Sequence, residues 1–283
     1  MRIFLLTALT MVAFAANSVL NRMAVSTAGL DPAYVSLLRL GSGAVVLLIL
    51  TLMLRGAKAL RVAPRIPLIG MATLFLYVFG FSIASGLIDA GTGALTLFGS
   101  VQITMFAGAL VMRERITRLR WIGAVLAFSG LFVLVAPIGT QGASVAQLST
   151  AGIAMMVIAG IGWGLYSLNG RRAHDPLALS ALNFALATVP ALIWFVVANA
   201  PQQGEAWGIW PALASGAITS GLGYALWYQI LPKLQASIAA VSQLTVPLLA
   251  AAGGALVLAE TPDPRFWIAS ALVLGGIGLS LKK

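Results

Sequence analysis

Long apolar stretches separated by short polar segments make up almost the whole chain. Crossing the hydrocarbon core of a bilayer takes about 20 residues of helix. The pattern predicts ten such helices, and because a β-barrel would alternate polar and apolar positions in short segments, the expected fold class is an all-α integral membrane protein. The predicted spans are 3–22, 33–54, 67–88, 92–112, 119–136, 150–169, 177–198, 208–231, 234–258 and 265–281.

Composition supports a membrane location. Sixty per cent of the 283 residues are apolar and 8% are charged, and the mean hydropathy is +1.00. A water-soluble domain of this composition would expose large apolar patches, so the lipid bilayer is the expected surrounding. The chain contains no cysteine, which excludes disulfides, thiolate nucleophiles and cysteine-held metal sites.

The two halves of the chain resemble each other. We therefore predict a first five-helix repeat over 1–137, a linker over 138–149 and a second five-helix repeat over 150–283. Five is an odd number of crossings, so the second repeat would enter the membrane in the opposite direction, as two inverted repeats. The matches are Ala-Leu-Val-Met-Arg-Glu at 109–114 with Ala-Leu-Val-Leu-Ala-Glu at 255–260, Trp121 with Trp267, Gly130 with Gly276, and Asp31-Pro32 with Asp175-Pro176.

The placement of basic residues predicts orientation. They concentrate at the chain ends and in one set of alternating loops, whereas the opposite loops hold only Arg22 and Arg265. The positive-inside rule then puts both termini in the cytoplasm. The net charge of +10 thus marks one membrane face, and no nucleic-acid partner is expected. The clustered residues are Arg2, Arg55, Lys58, Arg61, Arg65, Arg113, Arg115, Arg118, Arg120, Arg171, Arg172, Lys233, Lys282 and Lys283.

Polar residues collect at matching depths of the fourth and ninth spans. Ser100 and Gln102 on the fourth and Gln243 on the ninth are candidate substrate-binding residues. Pro247 is expected to kink the ninth helix and free a backbone carbonyl near residue 243, although the kink could serve packing alone. Gly99 is expected to loosen the fourth helix.

The run from 236 to 260, with Pro247 and the terminal Glu260, resembles the EamA domain signature of the drug/metabolite transporter superfamily. This resemblance implies ten helices in two inverted five-helix repeats and secondary transport of metabolites, amino acids or drugs, usually as export. Within the superfamily the chain is most similar to bacterial aromatic amino-acid exporters of the YddG type. The fourth helix has Val101 where the ninth has its proline, so the two halves need not move equally.

Aromatic residues recur three or four positions apart on three spans, and such spacings share one helix face. Their rings could line a cavity for an apolar or aromatic substrate. Two alternatives remain open: simple core packing for the residues deep in the bilayer, and an interfacial belt for those on the eighth span. The candidate binding residues are Tyr77 and Phe81, Trp163 and Tyr166, and Tyr224 and Trp227.

Two further residues with polar side chains inside predicted spans are Asn17 and Arg39. The amide of Asn17 suits a zwitterion because it both donates and accepts hydrogen bonds, although it could equally join helices. Arg39 could recognise a carboxylate, make a structural or gating contact, or snorkel to the outer interface. Glu114 and Glu260, which end matching spans, are candidates for pinning helix ends or forming gate contacts.

Several functions are disfavoured by what the sequence lacks. One histidine, His174, and no H-E-x-x-H, G-x-S-x-G or ATP-binding P-loop motif argue against an enzyme or ATP-driven pump, and no cofactor or metal is expected. A sugar-phosphate or nucleotide-sugar antiporter would need several intramembrane cations; a lipid-moving or structural membrane protein is the other alternative. The sequence does not indicate an oligomeric state. All acidic residues are predicted at helix ends or in loops, and they are Asp31, Asp89, Glu114, Asp175, Glu205, Glu260 and Asp263. With no carboxylate in the middle of a span, facilitated transport of a small molecule without proton coupling is expected.

Overall fold

The computed structural model describes residues 2–61, 65–111, 118–135, 149–170, 175–199, 204–230, 243, 245–262 and 264–280. Within these ranges every regular element is a helix and no strand occurs. The helices are α1 (Arg2–Arg22), α2 (Pro32–Arg55), α3 (Arg65–Ser85), α4 (Ala90–Val111), α5 (Arg118–Val135), α6 (Thr150–Gly170), α7 (Pro176–Ala198), α8 (Ile209–Ala214), α9 (Gly223–Ile230), α10 (Val246–Leu258) and α11 (Pro264–Ser280).

Six helical segments of the described chain are long and apolar enough to cross a membrane. The prediction of an all-helical membrane protein is thereby confirmed, while the count of ten crossings and the inverted repeat stay predictions. The segments are Arg2–Thr27, Pro32–Arg55, Pro67–Ser85, Ala90–Gly108, Thr150–Asn169 and Pro176–Ala198.

An aspartate followed by proline begins both α2 and α7. The Asp31 carboxylate accepts a hydrogen bond from the backbone N–H of Ala33 at 2.7 Å, and the Asp175 carboxylate accepts from Leu177 and Ala178 at 3.1 and 3.2 Å. Aspartate satisfies N–H groups that lack an intrahelical partner, and proline suits the first helical position. The sequence match between these dipeptides thus corresponds to one local structure.

Helices from the two halves of the chain pack directly against each other. The closest packing joins α5 with α11, α3 with α6, and α2 with α7, and α4 contacts both α6 and α10. Helix α1 also contacts α10, the helical residues 215–222 and α9. The centre of the bundle is therefore built from helices of both halves, and a single buried apolar core includes residues of both.

Glycines allow α6 to approach its neighbours closely. A Cβ atom on Gly162 would lie 2.6 Å from the backbone nitrogen of Tyr77, and one on Gly160 would lie 2.4 Å from the Cβ of Ser100. Small residues permit such close contact between membrane helices. The backbone of α6 consequently lies against both α3 and α4.

Two segments form π-helix, in which each turn is wider than in an α-helix. The first, Met23–Thr27, follows α1, and the second, Ser215–Leu222, joins α8 to α9. The second π segment packs against α1 and α2. It interrupts the single helix that was predicted over 208–231.

Pro247 lies in the first turn of α10, which begins at Val246 after the turn residue Thr245. A proline costs little there because the first N–H groups of a helix have no intrahelical acceptor. Gln243 is helical, while 231–242 and 244 lie outside the described residues. The expected kink within a continuous span 234–258 is therefore seen only as the start of a helix next to Pro247.

Candidate functional site

A narrow cavity, with a volume of about 20 Å³, lies inside the helix bundle. Its walls come from α1, α3, α4, α6, the second π segment and α9, so both halves of the chain contribute. Six of its ten lining residues are aromatic, and the polar ones carry amide or hydroxyl groups. They are Phe14, Asn17, Ser18, Tyr77, Phe81, Leu97, Phe98, Trp163, Thr219 and Tyr224.

Trp163 is the centre of the aromatic wall. Its ring centroid lies 5.0 Å from that of Tyr77 and 4.9 Å from that of Tyr224, and it stacks on Tyr166 at 5.6 Å. These separations fall in the range of favourable aromatic pairs. The glycine contacts between α6 and α3 hold Trp163 and Tyr77 at this distance.

Asn17 is the polar centre of the same wall. Its Oδ1 accepts hydrogen bonds from the hydroxyls of Ser215 at 2.7 Å and Thr219 at 3.0 Å. Its Nδ2 donates to the Tyr77 hydroxyl oxygen at 3.4 Å. The Asn17 amide therefore joins α1 to α3 and to the π segment, and both its donor and its acceptor are engaged.

Arg39 lies directly behind the aromatic wall. Its Nη2 donates to the Tyr77 hydroxyl oxygen at 2.7 Å and its Nε donates to Ser220 Oγ at 3.3 Å. The guanidinium carbon is 4.9 Å from the ring centroid of Tyr77 and 5.1 Å from that of Phe81. The side chain is 0% exposed, so the snorkelling interpretation was wrong: the charge points into the protein.

A second polar chain continues from this site. Asn21 Nδ2 donates to Ser215 Oγ at 3.1 Å, and Asn21 Oδ1 accepts from Ser82 Oγ at 3.3 Å. Ser36 Oγ lies 2.9 Å from Ser82 Oγ. Buried hydrogen-bonded groups of this kind fix helices relative to one another in a membrane, here α1, α2, α3 and the π segment.

One ion pair joins four helix ends on the side of the bundle where α1 ends. The Arg22 guanidinium pairs with the Glu260 carboxylate and donates to the carbonyl of Ser85 at 2.8 Å. The second Glu260 oxygen accepts from the backbone N–H of Ala90 at 2.9 Å. A smaller cavity of about 10 Å³ is lined in part by Arg22 and shares Ser18 and Phe81 with the main cavity. The pair thus lies beside a space whose lining overlaps that of the main cavity.

The structure brings five of the predicted binding residues to the cavity wall: Asn17, Tyr77, Phe81, Trp163 and Tyr224. Tyr224 and Trp227 are buried, at 4% and 7% exposure, so the interfacial-belt interpretation was wrong for both. Four other tryptophans are exposed, as residues of an interfacial belt would be, and they are Trp121, Trp207, Trp210 and Trp267.

The other predicted binding residues lie behind or beside the wall. Ser100 packs against Gly160 and donates to its own helix at Thr96, and the hydroxyl of Tyr166 bonds to Ser180 Oγ at 3.0 Å. Of the remaining predicted binding residues, Trp227 packs on Phe14, and Gln102 and Gln243 are partly buried. Two residues were predicted for gating or structure: Gly99 is buried in α4, and Glu114 lies outside the described residues.

Sequence reasoning missed five residues on the wall and two behind it, namely Phe14, Ser18, Leu97, Phe98 and Thr219, and Ser215 and Ser220. A usable signal existed, because Ser215 and Thr219 are four residues apart in an apolar stretch and would share a helix face. Phe14 carried no such signal, since phenylalanine is common throughout membrane helices.

A partly polar, aromatic-walled cavity within a helical membrane protein is the kind of site that holds a small molecule during transport, so the geometry indicates the class of membrane transport proteins. The sequence comparison specifies the family. The model of the EamA-like transporter family matches residues 1–136 and 150–282. The chain therefore belongs to this family, within the drug/metabolite transporter superfamily, and is a transporter rather than an enzyme.

Relatives extend over most of the chain. An uncharacterised protein of Pseudomonas aeruginosa is 44% identical over 99% of this chain and 94% of its own length. The threonine/homoserine exporter RhtA of Escherichia coli is 30% identical over 66% of this chain and 61% of its own length. A solved crystal structure matches with a TM-score of 0.69 at 21% identity, covering 97% of this chain and 94% of that one. At that identity the structural match shows a shared fold.

Proposed function

We propose that this protein exports small organic metabolites, foremost aromatic and other neutral amino acids, across the bacterial inner membrane by alternating access. The observation that carries the proposal is the central cavity, whose walls combine aromatic rings with the amide of Asn17 and the hydroxyls of Ser18, Tyr77 and Thr219. Rings suit an apolar side chain, and neutral donors and acceptors suit a zwitterion.

The similarity to the threonine/homoserine exporter RhtA supports amino acids as the substrate class. The aromatic wall adds a preference within that class. Trp163 lies within 5.6 Å, between ring centroids, of Tyr77, Tyr166 and Tyr224. A planar side chain can stack on such a surface, so we expect aromatic amino acids to be favoured over threonine.

The proposed mechanism rests on ten helices in two inverted repeats, divided as 1–137, 138–149 and 150–283, with both termini in the cytoplasm. The two separate family matches support this division. The helix contacts support it too: exchanging α1 with α6 and α4 with α10 converts the contact of α1 with α10 into that of α6 with α4. Two repeats that exchange conformations would open one central site to each side in turn.

A sugar-phosphate or nucleotide-sugar antiporter is less consistent with the site. A phosphate dianion calls for several cationic side chains. Along the described part of the cavity wall no lysine or arginine occurs, and Arg39 lies behind the wall. A lipid-moving or structural role would leave a small cavity with hydrogen-bonding groups unexplained.

Counterflow in liposomes tests the proposal. Purified protein would be reconstituted with unlabelled substrate inside and supplied with labelled tryptophan, phenylalanine, threonine or a sugar phosphate outside. We expect exchange of the amino acids, fastest for the aromatic ones, and none of the sugar phosphate. Trp163→Ala should lower tryptophan exchange at least roughly tenfold, since an aromatic contact and its buried area are lost.

The matched control is Trp210→Ala, because that ring is 74% exposed and away from the cavity; it should exchange like the unaltered protein. Gln243→Ala tests a predicted residue that the structure leaves off the wall. Equal rates for all four compounds, or unchanged exchange in Trp163→Ala, would overturn the proposed function.

A further inference from the structure

The hydroxyl of Tyr77 has an unusual set of partners. Its oxygen accepts two hydrogen bonds, from Arg39 Nη2 at 2.7 Å and from Asn17 Nδ2 at 3.4 Å. A phenol offers one donor proton and accepts through its oxygen lone pairs. With the acceptor sites occupied, the remaining capacity of this hydroxyl is to donate. Tyr77 and Asn17, which one of these hydrogen bonds joins, both line the cavity.

The hydrogen bonds behind Tyr77 all run in one direction. Ser82 donates to Asn21 Oδ1, and Asn21 Nδ2 donates to Ser215 Oγ. Ser215 then donates to Asn17 Oδ1, and Asn17 Nδ2 donates to Tyr77. Each direction is set by an amide oxygen that only accepts or an amide nitrogen that only donates. The series of hydrogen bonds therefore ends at Tyr77, whose proton has no acceptor within the described ranges.

Such a chain strengthens its last donor. Hydrogen bonds in series polarise one another, and a bond from a guanidinium withdraws charge from the phenolic oxygen. The Tyr77 proton is thus a stronger donor than an ordinary tyrosine hydroxyl and favours a negatively charged acceptor.

Among the described residues, no carboxylate pairs with the charge on Arg39, because the two ion pairs found there involve Arg22 and Arg55. Arg39 Nη1 is also buried with no hydrogen-bond partner in that part of the chain. An uncompensated buried charge is costly. Its contacts with the faces of Tyr77 and Phe81 offset part of this cost. A bound anion one hydrogen bond away would offset more.

We infer that the cavity recognises the carboxylate of its substrate, which accepts the Tyr77 hydroxyl proton while the Arg39 charge behind it supplies the balancing positive charge. This inference rests on the proposed transport function and narrows it to molecules that carry a carboxylate. Arg39 does not contact the substrate in this arrangement. It donates a hydrogen bond to the Tyr77 hydroxyl oxygen and thereby makes the Tyr77 hydroxyl a stronger donor to the carboxylate. An amide of the same shape, with no negative charge, lacks this stabilisation.

Two matched pairs of compounds test the inference: phenylalanine with phenylalaninamide, and threonine with threoninamide. Each amide keeps the shape of its acid and loses the carboxylate charge. We expect the unaltered protein to exchange each acid at least roughly tenfold faster than its amide, the factor that a hydrogen bond to a charged group supplies. In Tyr77→Phe the ratio should fall to within roughly threefold, because the donor is lost while the ring remains.

Tyr34→Phe is the matched control. Tyr34 lies on α2 and is not part of the cavity wall, and its ring packs on Phe195 with 5.3 Å between ring centroids. This variant should keep the full ratio of acid to amide exchange. Arg39→Gln should lower the ratio and Arg39→Lys should partly restore it, with thermal unfolding recorded for each. If the arginine variants do not fold, Tyr77→Phe alone decides.

The outcomes separate this inference from the transport function. Exchange of acids and amides at equal rates by the unaltered protein overturns carboxylate recognition and leaves transport standing. A full acid preference in Tyr77→Phe has the same meaning. Absence of exchange of all four compounds overturns the proposed function and this inference together.

Discussion

Trp163 shows how much of the site can be read at the level of single residues. Its aromatic character and its spacing from Tyr166 predicted a role in a cavity, and it lies at the centre of the wall. The same reasoning favoured Tyr166 equally, yet that hydroxyl bonds to Ser180 instead. Spacing identifies a shared helix face, but which face meets the cavity depends on the neighbouring helices.

Arg39 illustrates the same limit. Its position inside an apolar span marked it as functional, because charges are costly in a bilayer. The sequence could not choose between three roles, since the choice depends on the distance from Arg39 to Tyr77 and Ser220, on two other helical segments. Such contacts between remote residues appear only once the helices are packed.

Gly162 gives a prediction at this scale. A methyl group there would meet backbone atoms of α3, 2.6 Å from the nitrogen of Tyr77 and 2.9 Å from the oxygen of Thr73, and backbone cannot move aside as a side chain can. We expect Gly162→Ala to cost about 1–3 kcal/mol, as overpacking does. It should also separate Trp163 from Tyr77 and slow transport. Thermal unfolding in detergent, together with counterflow, measures both.

Gly41→Ala is the control for this substitution. An added Cβ at Gly41 meets nothing within 4 Å, and alanine favours helix over glycine by about 1 kcal/mol. Its unfolding temperature should be unchanged or higher. If the two variants unfold alike, the tight contact between α3 and α6 is not what stabilises this region.

Among the secondary-structure elements, helix positions followed closely from the sequence. The predicted spans 3–22 and 92–112 correspond to Arg2–Arg22 and Ala90–Val111, because the bilayer sets the length of an apolar run. The region predicted as one helix over 208–231 contains the π segment Ser215–Leu222. The hydrophobic pattern gives the length of an apolar segment. It carries little information about whether each backbone N–H bonds to the carbonyl four residues earlier, as in an α-helix, or five residues earlier, as in a π-helix.

The Arg22–Glu260 pair gives a prediction for helix ends. It ties the ends of α1 and α10 to the start of α4, beside the cavity that contains Ser18. The chain has no cysteine, so Ser18→Cys creates a single labelling site. We expect Glu260→Gln to raise labelling of this cysteine severalfold when an impermeant maleimide is added on the predicted outer side, because the neutral amide no longer holds the Arg22 charge.

The Arg55–Asp175 pair supplies the control, since its 3.3 Å contact joins α2 to the start of α7, on the opposite predicted face. Asp175→Asn should leave outer labelling of the introduced cysteine unchanged. Labelling that does not respond to Glu260→Gln would mean that Arg22 and Glu260 do not limit access to the cavity.

For the whole molecule, the membrane class followed from composition, whereas the cavity did not. Apolar content and helix length required a multi-pass bundle. The cavity depends on which helices of the two halves face each other, such as α3 with α6 and α2 with α7. The repeat pattern predicted that the halves meet without specifying these partners.

The positions of the carboxylates give a prediction for the transport cycle. Asp31, Asp89 and Asp175 each accept backbone N–H groups at the start of a helix, and Glu260 pairs with Arg22. None of these four lies at the wall of the main cavity, where a proton-coupling carboxylate would be expected, although Asp89 lines the smaller cavity. We expect a pH gradient imposed on liposomes to drive no accumulation of phenylalanine, while a phenylalanine gradient drives net flux. Accumulation under the pH gradient alone would show proton coupling.

The π segment has a consequence for the shape of the pocket. Thr219 and Tyr224 are five residues apart and both line the cavity. In a regular α-helix, positions five apart point roughly 140° away from each other, whereas the wider π turn brings them towards one face. If Ser215–Leu222 were α-helical, Thr219 and Tyr224 would point apart and could not share one cavity wall. The wider turn within this helical region therefore puts both side chains on the binding surface.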